Sequence, residues 1–186
     1  MPRIIGGRAR GRRLKSPRGA ETRPTGDRVK QTLFDILAPE IPGCRFLDPF
    51  AGGGGIGLEA LSRGAARAVL IDDSPAAVAA IRANQAQLAD AGGELQVLRQ
   101  DARLALAALA DRGARFDVVY LDPPYQSDLY EPLLDQLAGT GLLEPKAVVV
   151  AEHFHKRMLP ERIGSLVKTR SVKVGDHRLS FYRRSR

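Results

Sequence analysis

From Arg45 onward the chain alternates short apolar runs with helix-forming stretches, and each of the first four runs closes on a carboxylate. Arg45–Asp48, Ala68–Ile71, Leu95–Leu98 and Phe116–Leu121 read as buried strands, followed in turn by Asp48 itself, Asp72, Asp101 and Asp122. Between them, helices are predicted over Gly55–Arg63, Pro75–Asp90 and Ala102–Ala110, then over Leu129–Leu137 before a fifth strand at Ala147–Ala151. Alternating βα units demand a mostly parallel sheet with helices on both faces. The tail breaks the rhythm: Leu166–Val174, a Gly175-Asp176 turn and Leu179–Tyr182 predict an antiparallel hairpin at the sheet edge. Ahead of the sheet, Asp27 is the expected N-cap of a helix to Ala38, with Val29, Leu33, Ile36 and Leu37 as its apolar stripe.

The expected organisation is a basic N-terminal arm or hairpin over residues 1–24 and a single domain over residues 25–186. The length of 186 residues allows one domain with a real core. No apolar run approaches the roughly 18 residues that span a membrane, and the Arg-rich start has no apolar stretch of a secretory signal. The one cysteine, Cys44, fits a reducing cytoplasm. The charge is lopsided. The first 30 residues hold ten Lys or Arg against two acids, while the other 156 hold 19 of each. A neutral body with a basic arm points to a phosphate-rich partner, gripped by Arg3, Arg8, Arg10, Arg12, Arg13, Arg23 and Arg28. A solvated tail is the plainer reading of the same charges.

Two loops carry the chemistry. After the first strand comes Asp48-Pro49-Phe50-Ala51-Gly52-Gly53-Gly54-Gly55-Ile56-Gly57, in which glycines permit a sharp turn and close approach of a ligand to backbone. Asp48, Phe50, Ala51, Gly52 and Gly54 are the candidate ligand contacts here, with Asp72 placed for ribose hydroxyls and Asp101 for an adenine amine. The glycine spacing also matches the dinucleotide fingerprint of NAD enzymes. S-adenosylmethionine fits better, because Asp48, Asp72 and Asp101 favour a cationic sulfonium over a diphosphate, and the loop holds no Lys or Arg. After the fourth strand comes Asp122-Pro123-Pro124-Tyr125. The prolines donate no N–H, Asp122 and a carbonyl at Pro123 accept, and Tyr125 offers a stacking face. Such a lip suits a planar ring bearing an NH2 group. Its plain alternative is a strand-ending turn. His153 and His155 share one strand face, but with no third ligand evident no metal site is expected.

These motifs in this order resemble the class I methyltransferases that modify exocyclic amines of bases. The flanks Arg3-Ile-Ile-Gly-Gly7, Thr22-Arg-Pro-Thr25, Asp27-Arg-Val29, Gly57-Leu-Glu-Ala-Leu-Ser-Arg-Gly64, Gly175-Asp176 and Arg178-Leu-Ser-Phe-Tyr182 are similar to the bacterial small-subunit rRNA guanine-N2 methyltransferase family. The resemblance implies a Rossmann-like fold with a seven-stranded sheet, S-adenosylmethionine as methyl donor, and a guanine of 16S rRNA in the small ribosomal subunit or an assembly intermediate as acceptor; a monomer is the default expectation. The chain departs from the family pattern at Gly53 (commonly Ser), Asp72 (often Glu) and His177 (often Thr). Two other classes stay open: an amine methyltransferase acting on DNA adenine or another acceptor, and a non-catalytic RNA-binding assembly factor.

Overall fold

The computed structural model describes residues 2–17, 26–88, 92–124 and 127–185. Its elements run α1 (Asp27–Leu37), β1 (Arg45–Asp48), α2 (Gly55–Ser62), β2 (Arg67–Asp72), α3 (Pro75–Gln87), β3 (Glu94–Arg99), α4 (Ala102–Asp111), β4 (Phe116–Leu121), α5 (Tyr130–Gly139), β5 (Leu143–Phe154), β6 (Arg162–Ile163), β7 (Leu166–Val174) and β8 (His177–Arg184). The strands join in one sheet of order β3-β2-β1-β4-β5-β8-β7-β6. The first five are parallel, and the last three are antiparallel. Strand order reverses between β1 and β4, which creates the crevice where open α/β sheets hold ligands.

Side-chain alternation along the strands divides the core in two. Phe46, Leu70, Val118, Tyr120 and Val150 face α1, α2 and α3 through Leu33, Phe34, Leu58 and Ile81. Leu47, Val69, Val119, Leu121 and Val149 face α4 and α5 through Leu106, Leu133 and Leu137. Local signals start the helices. Pro75 opens α3 behind Ser74, whose Oγ accepts from Ala77 N, and Asp101 caps α4 by accepting from Arg103 N and Leu104 N.

Four expectations are corrected. Gly26, not Asp27, is the N-cap of α1; Asp27 is its first helical residue, and its carboxylate accepts from Arg3 Nε at 2.9 Å. Helix α3 stops at Gln87, short of Asp90, because Leu88 already leaves helical geometry. Strand β5 runs on to Phe154, because Glu152 and His153 are paired by β8 and buried despite their polarity. The two-residue β6, paired to β7, makes the sheet eight-stranded and not seven-stranded.

Residues 2–17 fold back on themselves through an Arg3–Arg13 bridge and bonds from Ile4 N to Arg12 O and Leu14 N to Pro2 O. Ile4, Ala9 and Leu14 are buried in the core of the α1–α2 face. The arm is therefore docked, which its alternation of small and apolar residues between arginines disguised. Glu59 of α2 anchors it. This fully buried carboxylate accepts from Ile5 N at 2.9 Å, Gly6 N at 2.7 Å and Arg63 Nε at 2.8 Å, and lies 3.4 Å from Lys30 Nζ. Lys30 donates in turn to Arg3 O. Burial lowers the Lys30 pKa, and Glu59 opposes that shift. Removing the carboxylate would strand a buried ammonium and two backbone donors. Glu59→Ala is expected to cost about 3–5 kcal/mol in denaturant unfolding and to open Arg8–Lys15 to trypsin in the folded protein.

Candidate active site

The carboxyl edge of the parallel strands carries a row of acids. In strand order they are Asp101, Asp72, Asp48, Asp122 and Glu152, one for each of β3, β2, β1, β4 and β5. At about 4.8 Å per strand the row spans about 19 Å. It crosses the switch point between β1 and β4, so Asp48 and Asp122 lie beside the crevice.

The glycine loop is built to be approached. Gly54 is the N-cap of α2 at φ 81°, and Gly52 also has a positive φ of 52°. Gly57 lets α2 press on β2, since a Cβ there would sit 2.0 Å from Leu70 Cδ2. Asp72 shapes this loop: its Oδ2 accepts from Gly52 N at 2.8 Å and its Oδ1 from Ser74 N at 2.9 Å. A carboxylate has about four acceptor positions, so ribose hydroxyls can still be received. Ala51 N is tied to Ile71 O at 2.9 Å, and Phe50 N donates to Asp48 Oδ1 at 3.2 Å. Asp101 is exposed and spends its Oδ1 on the α4 cap.

Asn84 of α3, wholly buried, joins the arm to the loop. Its Oδ1 accepts from Lys15 N at 2.7 Å, and its Nδ2 donates to Lys15 O at 3.0 Å and Gly53 O at 2.9 Å. A Cβ on Gly53 would meet Lys15 O at 3.2 Å, which gives the missing serine of this loop a steric setting.

Electrostatics set Asp48 and Asp122 apart. Burial, then the Asp72 and Glu152 charges, pushes the Asp48 carboxyl up to about 7 against the pull of the Phe50 N–H. Burial, then Glu152 and Asp48, holds Asp122 well above the ordinary carboxylate range. A cation placed among these groups would be stabilised by their ionised forms; a diphosphate would be repelled. Glu152, like Asn84, is a residue that sequence reasoning missed. It is 2% exposed, accepts from the Tyr120 hydroxyl, and lies 2.7 Å from His177 Nδ1. Tyr130 Oη donates to its backbone carbonyl at 2.7 Å. The rule that located the other acids would have found it, had β5 been extended by one residue past Ala151.

Pro123 is buried and Pro124 exposed, and Ser127 N returns to Pro124 O at 2.8 Å. Tyr125 lies outside the described residues, as does Arg23 with the Thr22–Thr25 motif. Of the arm's cations, Arg3 pairs with Asp27 and Arg12 donates to Gln87 O, while Arg8, Arg10, Arg13 and Arg28 are exposed. The ring nitrogens of His153 meet Ser180 Oγ at 2.8 Å and Phe154 O at 3.0 Å, and that of His155 meets Asp176 O at 3.1 Å.

Comparison with known proteins gives this geometry a context. Residues 2–183 match the family described as "Conserved hypothetical protein 95". YlbH of Bacillus subtilis, provisionally named an rRNA methyltransferase, is 39% identical over 182 residues, covering 98% of each chain. The Escherichia coli K12 protein named ribosomal RNA small subunit methyltransferase D is 40% identical over 158 residues, covering 85% of this chain and 77% of the relative. The solved structure of E. coli yhhF, provisionally named a methyltransferase, superposes with a TM-score of 0.82 at 36% identity, covering 98% of this chain and 97% of that one. The chain belongs to the Conserved hypothetical protein 95 family of methyltransferases.

Proposed function

We propose that the chain transfers a methyl group from S-adenosylmethionine to the exocyclic N2 of a guanine in small-subunit (16S) rRNA. The observation that carries this reading is that Asp48 and Asp122 stand at the ends of the two adjacent strands that flank the switch point, both with raised pKa, and that Pro123-Pro124 follows directly on Asp122. The family relatives named as small-subunit rRNA methyltransferases support the acceptor. The substrate is the RNA of a small ribosomal subunit or of an assembly intermediate, in the cytoplasm, and the enzyme acts as a monomer. Among the described residues no helix is long and apolar enough to cross a membrane.

S-Adenosylmethionine supplies a methyl group activated on a sulfonium. The protein supplies place and charge. Asp72 receives the ribose hydroxyls while it holds Gly52, and the positive-φ glycines let the ligand reach backbone. Asp101 accepts from the adenine amine. Asp122 and the Pro123 carbonyl accept the two hydrogens of the guanine NH2. Those bonds draw the nitrogen away from conjugation with the ring and expose its lone pair toward the methyl group. The C–N bond would form as the methyl–sulfur bond breaks, its electron pair leaving with the neutral thioether S-adenosylhomocysteine; the positive charge moves to the guanine nitrogen, and Asp122 would take one of its protons. Burial makes Asp122 a stronger proton acceptor than a solvated carboxylate. Tyr125 stacks on the extruded base. Much of the rate then comes from holding the two reacting atoms in line.

The direct test is methyl transfer from labelled S-adenosylmethionine to under-methylated small subunits, free rRNA, duplex DNA and a protein lysate, with nucleoside analysis of the product. N2-methylguanosine from rRNA is expected; label on DNA adenine or on protein would move the chain to another acceptor class. Asp122→Ala should cut single-turnover methylation roughly 100-fold or more while the affinity for S-adenosylmethionine changes less than about threefold. Equal loss of both would make Asp122 structural. Asp48 gives a pH test. Its raised pKa means that a bound cation must displace a proton below pH 7. S-Adenosylmethionine affinity should therefore rise from pH 6 to pH 8, by up to roughly tenfold per unit at the acid end. S-Adenosylhomocysteine, neutral at sulfur, should show a flatter profile, and Asp48→Asn should remove the difference in calorimetric titrations.

A further inference from the structure

The other basic surface of the molecule lies on the opposite side of the sheet from the docked arm. Residues 166–184 carry six Lys or Arg against one acid. Antiparallel pairing sorts their directions. Lys168 is opposite Tyr182, Ser171 opposite Ser180, and Lys173 opposite Arg178, on the α5 side of the sheet. The register shift between Lys168 and Arg170 turns the strand at its edge, as β-bulges do, and brings Arg170 to the same rim. The loop from His155 to Glu161 rises beside this face. Together they enclose a cavity of about 300 Å³, lined by the cations Arg157, Lys168, Arg170 and Arg178 with Glu161 as its one acid.

The cations are not equally committed. Lys168 Nζ is held by Glu161 at 2.7 Å and Leu159 O at 2.7 Å. Arg178 Nη1 donates to Ser171 Oγ at 3.0 Å, but its Nε is buried and has no hydrogen-bond partner among the described residues. Arg178 thus spends one of its five guanidinium donors on a neutral hydroxyl, and an anion in the cavity it lines is a stronger acceptor than that hydroxyl. The floor is neutral, since burial lowers the His153 pKa and its ring is bonded to Ser180 Oγ and Phe154 O. Arg157, which also pairs with Asp128 Oδ1 at 3.2 Å and lies over the Tyr130 ring, ties the cavity to the loop beyond the Pro-Pro lip: its Nη1 donates to Ser127 O at 2.8 Å, and Ser127 N donates to Pro124 O at 2.8 Å. Met158, 79% exposed at the rim, offers an apolar surface to a sugar or base.

We propose that this cavity is a second RNA contact, which seats a backbone phosphate near the target nucleotide through Arg170, Arg178 and Arg157. The proposal rests on the rRNA reading given above. Its position, bonded to the loop that follows Asp122, favours the backbone of the same RNA strand over a free anion.

The test is RNA binding by the full chain at several salt concentrations, comparing wild type with Arg170→Gln/Arg178→Gln and with Arg170→Glu. Arg170 is exposed, so its variant should keep the wild-type melting temperature. The double variant should bind small-subunit RNA roughly tenfold more weakly at moderate salt, with the log–log salt slope reduced by about two. S-Adenosylmethionine affinity should not move. Unchanged RNA affinity and slope in both variants would overturn the proposal. So would a loss confined to a destabilised double variant while Arg170→Glu binds normally, or a loss seen with duplex DNA alone. A wild-type chain that binds no RNA would instead remove the rRNA reading itself.

Discussion

Glu59 is the interaction on which the site's surroundings depend. One carboxylate, buried in α2, collects two backbone N–H groups of the arm, an arginine of its own helix and the ammonium of Lys30 in α1. Two separate pieces of chain, the arm and α1, are thereby fixed to one helix. That helix begins at Gly54, in the loop that meets the ligand crevice. Asn84 repeats the device one helix on, holding Lys15 and Gly53 together. The arm cannot shift at Lys15 without pulling on the glycine loop. A buried charge of this kind adds little net stability over an apolar substitute, but its loss leaves partners that have nowhere else to go. Its return is in position more than in energy.

The acid row has the opposite character. Asp48, Asp122 and Glu152 lie on neighbouring strands, and the Glu152 charge adds to what burial costs Asp48 and Asp122 on ionising. Tyr120 and His177 engage Glu152 from two sides. Such a row is an expensive way to end three strands, and structure alone gives no reason for it. A cation in the crevice gives one: it lowers the cost of ionising each acid, so the protein's strain and the ligand's charge offset each other. The same arrangement disfavours the diphosphate that the glycine spacing would otherwise admit.

Much of this was legible in the sequence. Apolar runs ending in acids set the order of β1 to β4, and the Gly-rich turn located the crevice. What stayed hidden has identifiable causes. Glu152 drew no notice because the pairing of β5 with β8 is non-local, and that pairing covers it and His153. Asp27 read as a cap because its residue type suits one, yet Arg3 from the folded arm claims its carboxylate. The docking of the arm was hidden because its arginines outnumber its apolar residues, although Ile4, Ala9 and Leu14 are all buried. Asn84 carried no motif at all; its role exists only where α3, the arm and the glycine loop meet.

The charge balance taught a related lesson. A body with equal acids and bases looks neutral in a sum, but the sheet segregates the charges. Acids take the carboxyl edge of the parallel strands, while cations gather on the antiparallel strands β7 and β8 and on the arm. The arm packs on the α1–α2 face, and the basic cavity opens on the α5 face. The acid row therefore runs between positive surfaces on both sides of the sheet. For a polyanion that must deliver one neutral base, this arrangement solves a conflict. On the proposed function, phosphates would be drawn to the flanks and repelled from the centre, so a strand would be held across the crevice while a base enters it. On that reading phosphate contacts would set orientation, and the acids at the switch point would do the choosing.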